Sequence, residues 1–144
     1  MGKRRQAREI AMQVLYNIDV CDFNRQEAWE CFGRKCQGGD IDDIFTFAKE
    51  LVDGVLANRE VIDAQISAVI KNWDLHRLAA VDRTVLRLAS FEMLFLTEIP
   101  VSVVINEAVE IAKSFSTNDS GKFVNGVIDK LKGRRGIYER AYPI

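Results

Sequence analysis

The sequence predicts an all-α fold, a compact bundle of about seven helices, and three observations carry that prediction. Apolar residues recur at i, i+3, i+4 and i+7 through almost every segment, which is the period of one helix face. No segment sustains the period-two alternation of a β-strand. The periodic runs are separated by residues that stop or cap helices: Gly38-Gly39, Pro100 and the stretch Ser116–Ser120. With 144 residues, 48% of them apolar, the chain is expected to form one domain over residues 1–144 with a real core.

Each element follows from its residues. Ala7, Ile10, Ala11, Val14, Leu15 and Ile18 share one face of a helix from about Lys3 to Asp19. Asn24 is the expected cap of a short second helix through Trp29 and Phe32 toward Cys36. After the glycine pair, Asp40 or Asp42 caps a third helix with Phe45, Ala48, Leu51, Val52 and Val55 inward. Asn58 starts a fourth, which carries Ile62, Ile66, Val69 and Ile70, and Trp73-Asp74 marks a turn. A long fifth helix runs from about Leu78 to Leu96, ended by Pro100, which lacks an amide donor and disfavours helical geometry just before it. Ser102 is the expected cap of a sixth, with Val104, Ile105, Ala108, Ile111, Ala112 and Phe115 inward. A seventh runs from about Gly121 to Lys132 and buries Val124, Val127, Ile128 and Leu131. Asn125-Gly126 is a hairpin dipeptide in isolation, but the flanking period of 3.6 makes it helical.

Bulk charge says little, since the net charge is -1 and the pI about 5.9. Its distribution says more. Lys3, Arg4, Arg5 and Arg8 lie within the first eight residues with no acid among them. Lys130, Lys132, Arg134, Arg135 and Arg140 gather near the other end, and the middle is acidic. Such segregation suits a local anionic partner, with a solvated basic tail as the alternative.

Two positions do not fit a plain core. On the first helix, Tyr16 projects roughly 180° away from Ala7. The wheel places Arg5, Arg8, Met12 and Glu9 on the same outer side, with Gln13 at its margin. Arginines beside a solvent-facing aromatic ring suit single-stranded RNA, whose phosphates they neutralise and whose bases the ring stacks. A solvated helix with one exposed tyrosine is the alternative. On the fifth helix, Glu92 lies at the centre of the apolar stripe formed by Val81, Val85, Leu88, Ala89, Phe95 and Leu96. A carboxylate there is either hydrogen-bonded inside the fold or meets a basic group of a partner protein.

Nothing points to catalysis. The chain has no GxGxxG, GxxxxGK[ST], GxSxG or HExxH, and His76 stands outside any motif. Glu107 and Glu110, at helical spacing with Lys113, form a solvated face. Cys21, Cys31 and Cys36 are odd in number and lack CxxC spacing, so free thiols in a reducing cytoplasm are expected, with no metal site and no cofactor. No apolar run reaches the roughly 18 residues of a membrane helix. The basic start lacks a signal-peptide apolar region, and Gln6 stands where a myristoylation motif has Ser or Thr.

The order of several stretches resembles the NusB family of transcription antitermination factors. They are Arg8-Glu9 leading to Gln13-Val14-Leu15-Tyr16, then Val81-Asp82-Arg83, Leu86-Arg87 and Phe91-Glu92-Met93-Leu94. Ile99-Pro100, Ile105-Asn106-Glu107-Ala108-Val109, Ala112-Lys113 and Lys122-Phe123-Val124-Asn125-Gly126-Val127 complete the set. Each is weak alone, but together and in order they span essentially the whole chain. The stretch from Cys21 to Asp43 and the tail after Lys132 match poorly, and no role is carried over there.

The resemblance implies two packed helical subdomains and a protein that binds boxA RNA together with NusE, a protein of the small ribosomal subunit. The setting it implies is a transcription elongation complex with RNA polymerase and other Nus factors, which reads through terminators, notably in ribosomal RNA operons. It implies RNA contacts for the basic start, Lys3, Arg4, Arg5 and Arg8, for Tyr16, and for Asp119, Lys122 and Phe123. It ties Tyr16 and Glu92 to the NusE contact, and makes Asn106, Glu107, Asn125 and Gly126 structural positions, with Asn125 an internal hydrogen bonder. Lys122 and Phe123 are then expected to fold back beside the first helix. A protein-interaction scaffold without RNA contact is the rival reading, and a homodimer that masks the first helix is an alternative to a monomer.

Overall fold

A computed structural model describes residues 2–31 and 41–138. The described residues form seven α-helices, α1 (Lys3–Val20), α2 (Arg25–Glu30), α3 (Ile41–Ala57), α4 (Arg59–Val69), α5 (Ala80–Phe95), α6 (Val101–Phe115) and α7 (Asn118–Leu131), with short 3-10 turns at Leu75–Arg77 and Lys132–Arg134. No strand occurs among them. The all-α expectation holds, and the chain divides into two compact units, Met1–Asp53 and Gly54–Ile144, the boundary falling within α3.

In the first unit, α1 closes on a left-handed residue. Asp22 has φ 57°, and the Phe23 amide donates back at 3.3 Å to the Asn17 carbonyl, which also accepts from the Cys21 amide at 3.1 Å. Asn24 starts α2 as its residue type predicts, and reciprocally. Its side chain accepts from the Glu27 amide at 2.8 Å, while the Glu27 carboxylate accepts from the Asn24 amide at 3.1 Å. Trp29 of α2 and Phe45 of α3 meet as tilted rings with centroids 6.1 Å apart. The expected continuation of α2 through Phe32 to Cys36, the Gly38-Gly39 break and the Asp40 cap lie outside the described residues, as does the side chain of Asp42. Cys21 and Cys31 are exposed free thiols.

In the second unit, α5 is the core helix. Every residue from Thr84 to Phe95 is buried, which a helix reaches only when neighbours cover it on all sides; α4, α6 and α7 do so. One of its buried charges is paired across to α4. Arg87 donates to both carboxylate oxygens of Asp63 on α4, at 2.8 and 3.0 Å. Gly54 lies directly against the Phe91 ring, which occupies the space a Cβ would need. The predicted core of α7, Val124, Val127, Ile128 and Leu131, is buried.

Two expected boundaries shift. Pro100, not Ser102, stands at the cap position of α6: its backbone is still non-helical at ψ 143°, and its carbonyl accepts from the Val103 and Val104 amides at 3.0 and 3.1 Å. Thr117 caps α7 by accepting from the Ser120 amide at 3.1 Å, so Asn118–Ser120 are helical and not loop. Asn58 stands at the start of α4 as expected, its carbonyl accepting from the Ile62 amide at 2.9 Å, while its side-chain amide donates to the Gly54 carbonyl at 2.8 Å.

Candidate nucleic-acid interface

The basic start forms the N-terminal turns of α1. No acid lies in that first turn, so Lys3, Arg4 and Arg5 stand at the positive end of the helix dipole. That placement lowers helix stability and concentrates positive potential on a short stretch of backbone. Lys3 and Arg4 are exposed and Arg5 is half-buried. The Arg4 guanidinium stands over the Phe47 ring of α3, 4.4 Å from its centroid. A shallow pocket of about 300 Å³ is lined here by Lys3, Arg4, Asp43, Thr46, Phe47 and Glu50. Lys3 approaches Asp43 to 3.6 Å in an exposed pair of the kind worth little to stability.

Arg8 is a correction. The wheel puts it on the solvent side with Met12, yet both are only 2% exposed. The buried arc of α1 is wider than its apolar stripe, because the Arg8 stem packs as an apolar chain and its guanidinium lies 5.4 Å from the centroid of Phe47. The open side of α1 instead carries Glu9, Gln13 and Tyr16, all half-buried, and exposed Val20. Tyr16 is twelve residues beyond Arg4, roughly 18 Å along the axis, so the two do not share one cluster on this helix.

In the second unit, Asp119 and Lys122 are exposed and Phe123 half-buried on the first turns of α7. Phe123 meets the ring of Trp73 edge to face, centroids 6.4 Å apart at 61°. A pocket of about 390 Å³ opens beside them, with Lys71, Lys122 and Lys130 around it and Gly126 in its wall. Asn125 is a second correction. It is exposed, and its side chain makes no hydrogen bond among the described residues, because positions 124, 127 and 128 take the inward face of α7. Glu92 is 2% exposed on α5, so its side chain belongs to the interior of this chain and not to its surface.

Sequence reasoning misses Phe47 and Trp73. Phe45 and Phe47 lie two apart on a helix and cannot share one face, so one of them has to serve something other than the predicted core. The turn signal at Trp73-Asp74 hides the ring, although Trp73 stands two residues from Lys71.

The sequence profile of the NusB family matches residues 5–132. The chain is 48% identical over 130 residues to the transcription antitermination protein NusB of Bacillus licheniformis, covering 90% of this chain and 96% of that one. This chain belongs to the NusB family. Among solved structures it is similar to NusB of T. maritima, with TM-score 0.81, 34% identity and 96% of each chain covered. It is equally similar to a chain from a crystal structure of the antitermination factors NusB and NusE in complex with dsRNA, with TM-score 0.81, 32% identity, and 92% of this chain and 98% of that chain covered. The likeness to NusB thus includes both units and every helix on which a site residue stands. Among the described residues, no helix is long and apolar enough to cross a membrane, and no cluster of His, Cys, Asp and Glu could hold a metal ion.

Proposed function

We propose that this NusB-family chain is a transcription antitermination protein that binds boxA-type RNA together with NusE. In the cytoplasm it promotes read-through by RNA polymerase within an elongation complex holding other Nus factors, notably on ribosomal RNA operons. It acts by binding and not by catalysis, and residues 1–144 serve as one RNA-binding domain. The observation that carries this reading is its likeness, over nearly its whole length, to a NusB solved together with NusE and double-stranded RNA.

The site geometry supports a division of roles. Lys3, Arg4 and Arg5 bind phosphates at the positive end of α1, with Phe47 fixing the direction of Arg4. Tyr16, on the open side of the same helix, offers a ring to a base or to NusE. On α7, Lys122 binds phosphate, Phe123 stacks a base and Asp119 accepts a hydrogen bond from a base or a ribose hydroxyl. Arg8 and Glu92, both buried, act from beneath by holding these surfaces in shape. The acidic body suits a basic ribosomal protein, and the complementarity favours docking.

The test is binding of a labelled boxA-like RNA, with and without NusE, over a salt series. Replacing Arg4 and Arg5 by Glu should weaken binding and flatten its salt dependence, since every phosphate left without its arginine lowers the log–log slope by about one unit. Unchanged affinity removes α1 from the mechanism. NusE binding without any RNA crosslink to the chain makes it a protein-interaction scaffold instead.

A further inference from the structure

We propose that Asp43 on α3, with Glu50 beyond it, is a built-in competitor for the basic start of α1. It occupies a cation that would otherwise bind phosphate, and so lowers affinity for any polyanion; this rests on the RNA-binding reading above. The Lys3 ammonium lies 3.6 Å from the Asp43 carboxylate, the two side chains being 51% and 77% exposed. Asp43, Phe47 and Glu50 follow one another at i, i+4 and i+7, so they form one row along α3. That row lines the pocket of about 300 Å³ that Lys3 and Arg4 also line. A carboxylate therefore precedes and follows, in that row, the ring on which Arg4 rests.

The row answers a local conflict in α1. Lys3, Arg4 and Arg5 crowd the positive end of the helix dipole, the first turn holds no acid, and Gly2 caps the helix without a side-chain acceptor. The negative charge that relieves this comes from α3 instead, and it is held loosely. The Arg87–Asp63 pair of the second unit shows what a permanent tie looks like in this chain: two hydrogen bonds at 2.8 and 3.0 Å, with side chains 5% and 22% exposed. The Lys3–Asp43 pair is longer, open to water and screened by salt, so another anion can displace it.

An RNA phosphate that reaches Lys3 meets a cation already paired. It either displaces the Asp43 carboxylate or shares the lysine with it, and two anions so close repel each other. The loss is the same whatever bases the RNA carries, because phosphates hold no sequence information. The consequence is a threshold. An RNA that engages only the basic start is turned away at low concentration, whereas one with further contacts to the chain or to NusE tolerates the loss.

The test measures binding of two labelled single-stranded oligoribonucleotides of equal length, one boxA-like and one of scrambled sequence, to the full chain at low salt. Asp43→Asn should tighten binding of both by the same factor, about two- to five-fold, the range set by one exposed ion pair. The gain should shrink as salt is raised. Glu30→Gln, at an exposed position of α2 outside the pocket, removes the same charge and should give a clearly smaller gain. In a Lys3→Ala background Asp43→Asn should lose most of its effect, because the competitor no longer has the cation it occupies. If the parent binds RNA and Asp43→Asn binds it no more tightly, the competitor is overturned and the RNA-binding reading stands. A gain that Glu30→Gln matches, or that survives intact in Lys3→Ala, also overturns it and leaves net charge as the cause. A gain confined to the boxA-like RNA makes Asp43 a base contact and overturns it too. If the parent binds neither RNA, with or without NusE, the RNA-binding reading fails and the competitor with it.

Discussion

The Arg4 guanidinium sits over the half-buried ring of Phe47, 4.4 Å from its centroid, and this contact ties the exposed basic start of α1 to α3. Two arginines use the ring. Arg4, exposed, is available to a phosphate while it rests there; Arg8, 2% exposed, is not. Replacing each by Ala should therefore separate binding from stability. Arg4→Ala is expected to change stability by less than about 1 kcal/mol, since an exposed cation–π contact is worth no more. It should weaken RNA binding and lower the salt slope by about one unit. Arg8→Ala is expected to lower stability by about 1–3 kcal/mol, because it removes a buried stem and its packing. Urea unfolding and RNA titration of the two variants check the split. Equal effects of both on binding and no loss of stability in Arg8→Ala would contradict it.

What can be read in the sequence divides along a physical line. Local chemistry is legible: Asn24 is readable as the cap of α2, and the 3.6 period overrides the hairpin dipeptide Asn125-Gly126 inside α7. Decisions taken by tertiary packing are not. A wheel gives directions around α1 but not how wide an arc its neighbours cover, so it turns Arg8 and Met12 toward solvent where the fold buries them. Glu92 can be placed at the centre of a stripe, but only the full cover around α5 shows that the stripe is interior throughout. Partners brought together over long sequence separations, Phe47 with Arg4 or Trp73 with Phe123, leave no periodic trace at all.

Gly54 and Phe91 are coupled by shape. The Phe91 ring fills the place where a Cβ on Gly54 would stand. Gly54→Ala has good helix propensity, yet it is expected to destabilise the chain by about 1–3 kcal/mol through overpacking. Combining it with Phe91→Leu should return part of that loss, giving a favourable coupling energy in a double-mutant cycle. Additive effects in thermal or urea unfolding would mean that the two positions do not compete for the same volume.

Arg87 and Asp63 form the charged tie between α5 and α4, with the Arg87 side chain 5% exposed and that of Asp63 22%. Removing one partner strands the other. Asp63→Ala should cost about 3–5 kcal/mol because it leaves the guanidinium buried without its carboxylate. Replacing both by apolar residues of similar size, as in Asp63→Leu with Arg87→Met, should cost much less. Chemical denaturation of the single and double variants checks this. A double variant no more stable than Asp63→Ala would show that the pair stabilises the fold beyond merely compensating its own burial.

The basic tail has a structural duty that its charge alone does not reveal. Arg135 donates to the carbonyls of Met93 at 3.3 Å and Leu96 at 3.0 Å, and also to that of Ile99. These acceptors lie at and just after the C-terminal end of α5, where carbonyls lack helical partners and the dipole favours a cation. The neighbouring residues add to the hold. Tyr138 stacks on Phe95 with centroids 5.4 Å apart, and its hydroxyl accepts from Gln65 at 2.7 Å. Arg135→Ala is expected to lower stability by about 1.5–3 kcal/mol, the range for hydrogen bonds made by a charged group. Arg135→Lys should recover only part, because an ammonium cannot reach several carbonyls in the plane of a guanidinium fork. RNA affinity at a temperature where both variants are folded should match that of the parent. A loss of RNA affinity without loss of stability would instead place Arg135 among the phosphate contacts and take away its role as the cap of α5.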